Sequence, residues 1–149
     1  MSIIYSYPCI QLNGVKERIT ISTGPIIKNK TGNKVLLHLS GTTKKYQFIW
    51  GRLDDSLNFR ENALTKAREV IGDTTIILSE EDPLILTGMI DRDGNEENIL
   101  LIHYIGTIEN EDAIGEAKWF NLEEVLLLDA ENKTSSENVR IASQHFLQK

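Results

Sequence analysis

Ten residues in the second half of the chain, ILLIHYIGTI at 99–108, are apolar at nearly every position. A strand exposed on one face alternates apolar with polar residues. This run does not alternate, so it reads as a strand buried on both faces of a sheet. A strand of that kind needs a covering layer on each side, and the neighbouring segments supply them. TTIIL at 74–78, PLILTGMI at 83–90 and AKWF at 117–120 read as further strands. Residues 58–71, LEEVLLL at 122–128 and the last dozen residues read as helices. Mixed strands flanked by helices predict a layered α/β domain with the sheet covered on both sides.

The N-terminal third reads as hairpins. Asn13-Gly14 is a two-residue turn signal between YPCIQL and VKERITIS. Thr31-Gly32-Asn33 separates GPIIKN from KVLLHLS in a second hairpin. KKYQFIW then alternates, with Tyr46, Phe48 and Trp50 on one face and Lys45, Gln47 and Ile49 on the other. Three aromatics on one face suit either packing under a helix or stacking on a nucleobase.

In the 58–71 helix, Phe59, Ala63, Ala67 and Val70 form an apolar stripe that Leu64 and Ile71 widen. Asp54, Asp55 and Ser56 precede it, and Gly72 is a C-terminal stop. The closing helix starts at Thr134-Ser135-Ser136-Glu137, which has capping-box spacing, and its stripe is Val139, Ala142 and Phe146.

The 149 residues suffice for one domain with a real core, and we expect a single domain over 1–149. A net charge of −6, from 16 basic and 22 acidic residues, argues against a surface for duplex nucleic acid. No stretch approaches the roughly 20 apolar residues of a membrane span, and MSIIYSYPC lacks a charged leader, so a cytoplasmic protein is expected. Cys9 is the sole cysteine, reads as a buried strand residue, and excludes an internal disulfide.

The segment GRLDDSLNFRENALTKAREVIG, Gly51 to Gly72, carries a resemblance. Its glycines lie 21 residues apart, the aromatic strand YQFIW leads into the first, and GEAKWFNLEEV follows well downstream. In order and spacing these pieces resemble the Nudix hydrolases, whose box reads G-x5-E-x7-R-E-U-x-E-E-x-G-U. The resemblance runs roughly from Gly24 to Leu128. It implies a Nudix-like α/β/α sandwich with a mixed β-sheet, and homodimers are common in that family. It also implies Mg2+ or Mn2+ on the box glutamates, bridging a diphosphate and activating water.

The box itself is altered. With both glycines fixed, the first glutamate position holds Leu57, and the arginine position holds Thr65. Lys66 stands beside it, the paired glutamates become Glu69 and Val70, and the closing aliphatic becomes Asp73. Trp50 stands where the family usually has a small glycine. A second register sets Arg68-Glu69-Val70 under R-E-U but needs three inserted residues and loses the closing glycine.

Positions 66, 69 and 70 share one side of a helix. The family's three carboxylates give −3 there, whereas Lys66, Glu69 and Val70 sum to zero. At ~4 Å and an effective dielectric near 20, each unit-charge pair counts roughly 4 kcal/mol before screening, so divalent-ion affinity should drop sharply. Lys66 reads either as a point charge for a phosphate or as a solvated partner of Glu69.

The leading expectation is therefore a degenerate Nudix-fold protein, non-hydrolytic by the metal route, with Trp50, Arg52, Lys66 and Glu69 around the former site. It would bind a nucleotide-like or phosphorylated ligand, or a protein. A second expectation is an active hydrolase of a nucleoside diphosphate derivative, with Mg2+ or Mn2+ held by Asp54, Asp55, Glu61, Glu69 or the loop bearing Asp91, Asp93, Glu96 and Glu97. Glu69 would be its catalytic candidate. A third is a structural subunit with a vestigial pocket. DRDGN at 91–95 reads as a polar turn, since its glycine is fourth where an EF-hand loop needs it sixth. His38 and His103 lie in apolar strands and His145 on the last helix, and no Ser/His/Asp arrangement is legible.

Overall fold

The computed structural model describes residues 19–92 and 95–147. The Asn13-Gly14 hairpin and Cys9 therefore lie outside the described residues, as do Asp93 and Gly94. The doubly apolar run is part of β7 (Asn95–Ile108), and it is central as expected. On one side it pairs in parallel with β1 (Ile19–Lys28), from Ile19↔Asn98 to Lys28↔Thr107. On the other it pairs antiparallel with β6 (Leu84–Arg92) and then β5 (Ile76–Leu78). The sheet is mixed. The β6–β7 register runs to Arg92↔Asn95.

β1 is one continuous strand, where the two hairpin signals predict a break at Thr23. A Gly-Pro pair such as Gly24-Pro25 ordinarily marks a turn. Here both residues serve strand geometry. Pro25 lies between the β1 pairing with β4 (Gly51–Arg52) at residues 22–23 and the pairing with β2 (Lys34–Leu39) at Lys28. Its missing N–H falls where β1 has no antiparallel partner. Gly24 admits a close crossing, because an added Cβ would overlap the Ile49 carbonyl oxygen.

KKYQFIW is not one strand. β3 (Tyr46–Gln47) pairs with β2 at Leu39↔Tyr46, and β4 pairs with β1 at Thr23↔Gly51. Residues 48–50 link these two pairings and pass over Gly24. The inside–outside alternation nevertheless survives. Phe48 packs with Val125 and Val139 in one core, while Ile49 packs with Ala63 and Ala67 in the other.

Those two cores are the layers. α1 (Phe59–Ile71) covers one face through Ala63, Ala67 and Ile71. α2 (Leu122–Ala130) and α3 (Glu137–Phe146) cover the opposite face through Val125, Val139 and Ala142. β8 (Lys118–Asn121) pairs with β2 and leads into α2. The architecture is the expected α/β/α sandwich. The cap of α3 differs from expectation: Ser136, not Thr134, is its N-cap and accepts from the Asn138 amide. Thr134 instead donates to Asp129 and bridges to Tyr46. No helix among the described residues is long and apolar enough to cross a membrane.

Candidate functional site

α1 begins and ends as its sequence dictates. Asn58 is the N-cap and forms a capping box with Glu61, each side chain accepting from the other's backbone amide at 2.8 and 3.1 Å. Gly72 closes the helix at φ +88°, a conformation that favours glycine, and its N–H reaches the Arg68 carbonyl. The helix therefore spans the interval that the two box glycines bracket. Arg68 is exposed.

The face of α1 that meets the first glycine carries Lys66 and Glu69. The lysine stem lies against Gly51 so closely that a Cβ there would sit 2.5 Å from Lys66 Cδ. Lys66 Nζ lies 3.6 Å from Glu69 Oε2, with the lysine side chain 23% exposed and the glutamate 60% exposed. Val70 packs against the α1 core. The third position of the face has thus become part of the packing.

Beneath this face lies a residue that the sequence reading missed. Asn62 is fully buried. Its Nδ2 donates to Thr23 Oγ1 at 2.9 Å and to the Gly51 carbonyl at 3.3 Å, while its Oδ1 accepts from the Asp54 amide at 3.1 Å. One side chain thus ties α1 to β1, to β4 and to the loop between β4 and α1. The available signal was an asparagine beside the apolar stripe, a residue that helices disfavour unless its amide has work to do.

Asp54 and Glu61 are committed locally, whereas the side chains of Asp91, Asp93, Glu96 and Glu97 lie outside the described residues. Asp54 accepts from the Ser56 amide and hydroxyl at 2.9 and 2.7 Å. These bonds hold its carboxyl below the usual range, and the Lys66 charge adds to the effect. Glu61 closes the capping box, and Asp55 is exposed. Among the described residues, no three His, Cys, Asp or Glu side chains are grouped as a metal site would need. A divalent cation at the 66/69 face would meet one carboxylate and one ammonium, so these residues do not fit Mg2+ or Mn2+.

The four residues expected to share one site do not line one pocket. Arg52 is exposed on β4, next to Gly51. Trp50 instead lines a cavity of about 130 Å³ on the α3 side of the sheet, with Phe48, Leu101, His103, Ser136 and Asn138 among its walls. The separation follows from strand alternation, because Trp50 and Gly51 point to opposite faces. The three-aromatic platform is likewise not formed. Tyr46 packs edge-on against Phe120, with centroids 5.0 Å apart, and Phe48 packs against His103 at 5.7 Å.

His103 Nδ1 lies 3.1 Å from the Gly24 carbonyl oxygen. Burial pushes the imidazole down to about 4, and the Gly24 carbonyl opposes this only in part. A group protonated at about 4 when folded and at 6.5 when unfolded makes the unfolded chain bind more protons between those values. Stability is therefore complete above pH 6.5 and falls as pH drops towards 4. His38, also lowered by burial, adds in the same direction. We expect a loss on the order of 3 kcal/mol across that window, read from urea midpoints, and a flatter profile in His103→Phe.

No family model matches the chain, and no curated protein matches it. Solved structures do. C. elegans Ap4A hydrolase is 17% identical and superposes with a TM-score of 0.62 over 83% of this chain and 92% of its own. A Nudix hydrolase from Nitrosomonas europaea is 18% identical, with a TM-score of 0.63 over 86% and 89%. The E. coli dihydroneopterin triphosphate pyrophosphohydrolase is 14% identical, with a TM-score of 0.59 over 89% and 99%. At these identities the likeness establishes architecture alone, and with the sandwich and the glycine-bracketed helix it shows that this chain has the Nudix hydrolase fold.

Proposed function

We propose that the chain is a cytoplasmic, degenerate Nudix-fold protein that binds a nucleotide-like or other phosphorylated ligand without metal-assisted hydrolysis. One observation carries the reading: the Lys66 stem lies over Gly51 with its ammonium 3.6 Å from Glu69, on the helix face where the family's glutamates would gather. A fixed positive charge there attracts a phosphate and repels a divalent ion. A phosphate held without an activating metal is bound and not cleaved. Trp50 and Gly51 are consecutive, so Lys66 on the α1 face and the aromatic-walled cavity on the α3 face flank the same peptide from opposite sides of the sheet.

The test is direct. Nucleoside triphosphates, dinucleotides and nucleotide sugars are screened by thermal shift in the absence of divalent ions. At least one class is expected to raise Tm, and Lys66→Gln to reduce that shift. The same compounds with Mg2+ and Mn2+ are expected to give no turnover above background. Turnover that vanishes in Glu69→Gln would establish the hydrolase instead. No shift with any ligand would leave the vestigial structural subunit.

A further inference from the structure

The cavity beside Trp50 has one buried wall whose polarity is fixed by the fold. His103 is 2% exposed and lines the cavity, and its Nδ1 faces the Gly24 carbonyl. A carbonyl oxygen only accepts, so Nδ1 carries the proton. Buried and neutral, the imidazole then has a bare lone pair on Nε2. Other polar groups of the wall already hold partners. Ser135 Oγ donates to Gln47 Oε1 at 2.9 Å. Ser136 Oγ accepts from the Asn138 amide, and Asn138 Nδ2 reaches the Thr87 carbonyl. The rest of the lining is apolar or aromatic, including Phe48, Ile99 and Leu101.

We propose that this cavity holds a flat, uncharged heterocycle that gives a ring N–H to His103 Nε2. The proposal rests on the ligand-binding reading above and specifies the ring that such a ligand bears. At about 130 Å³ the cavity is close to the ~150 Å³ that admits one benzene, so it suits a single six-membered ring. Trp50 offers an aromatic surface at the same cavity. The selection arises from an asymmetry of cost. A ring N–H satisfies the imidazole lone pair, whereas a ring nitrogen without hydrogen sets lone pair against lone pair in a buried place. A charged group would lose its hydration to apolar walls. His103 is thus a specificity-determining residue.

The experiment uses two matched pairs of probes: inosine monophosphate against its N1-methyl form, and uridine monophosphate against its N3-methyl form. Members of each pair differ in the replacement of the ring N–H by N–CH3, and the His103→Phe variant separates the lost hydrogen bond from the added bulk. Binding is followed by Trp50 fluorescence in a Trp119→Phe background, since the chain has two tryptophans. At least one parent nucleotide is expected to bind at least about tenfold more tightly than its methylated form. The 15N resonance of His103 Nε2 is expected to shift on adding that parent, and His103→Phe to abolish the discrimination. The methyl comparison is made on folded His103 protein, so a misfolded variant does not blunt it. Equal binding within both pairs, or an unmoved Nε2 resonance, would overturn the assignment of His103 while leaving ligand binding intact. Failure of all four probes to bind would overturn the heterocycle assignment, and the ligand-binding reading falls with it only where the wider thermal-shift screen is also blank.

Discussion

Mn2+ is expected to bind the double variant Lys66→Glu, Val70→Glu at least about 100-fold more tightly than the unmodified chain. The double substitution changes the formal charge of positions 66, 69 and 70 from zero to −3, with Glu69 already in place. At an effective dielectric near 20, each added attraction or removed repulsion is worth roughly 4 kcal/mol before screening, so a tenfold-squared gain asks for only part of the available energy. Lys66→Glu alone should give an intermediate gain, because its stem already lies at Gly51. Val70 packs against the α1 core, so the double variant should also lose some stability. Titration followed by water-proton relaxation or calorimetry reads the affinity, and thermal melting confirms that the variant is folded. A folded double variant with no gain in Mn2+ affinity would show that the helix face is not the counterpart of the family's metal face.

Gly24→Ala is expected to cost about 3 kcal/mol or more. The added methyl would overlap the Ile49 carbonyl oxygen and crowd Trp50 Cα, and both are backbone. A side chain could rotate away from such a clash, but the 48–50 crossing cannot move without disturbing Phe48 and Ile49 in their cores. Gly41→Ala is the control, because an added Cβ there meets nothing within 4 Å, and its effect should stay within about 0.5 kcal/mol. Urea denaturation of both variants decides the matter. Equal midpoints would mean that the crossing is looser than its geometry states.

Much of the fold was legible because its signals are strong and local. The unbroken apolar run of β7, the stripe of α1 and the glycine after it each say what they are by periodicity. The misreadings share a cause: a residue with a common local use was engaged in an uncommon tertiary one. Two hairpin signals predict a break at Thr23, but β1 runs on through it, and Gly24 is where another segment crosses the strand. Thr134 has capping-box spacing to Glu137 but is held by Asp129, which leaves Ser136 to cap the helix. The site divided along the same line. Lys66 and Glu69 were legible as one helix face because i, i+3 spacing is intrinsic to a helix. The role of Asn62 depends on three segments meeting, and no spacing in the chain encodes that. Trp50 was grouped with Lys66 by sequence proximity, while strand alternation sends its side chain to the far layer.

The 48–50 crossing has a mechanical consequence. Two consecutive residues, Phe48 and Ile49, are sealed into opposite halves of the sandwich, joined by a single peptide plane. A tug on either half is passed at once to the other, so this short stitch makes the two layers yield together and keeps one from peeling off while its counterpart stays shut.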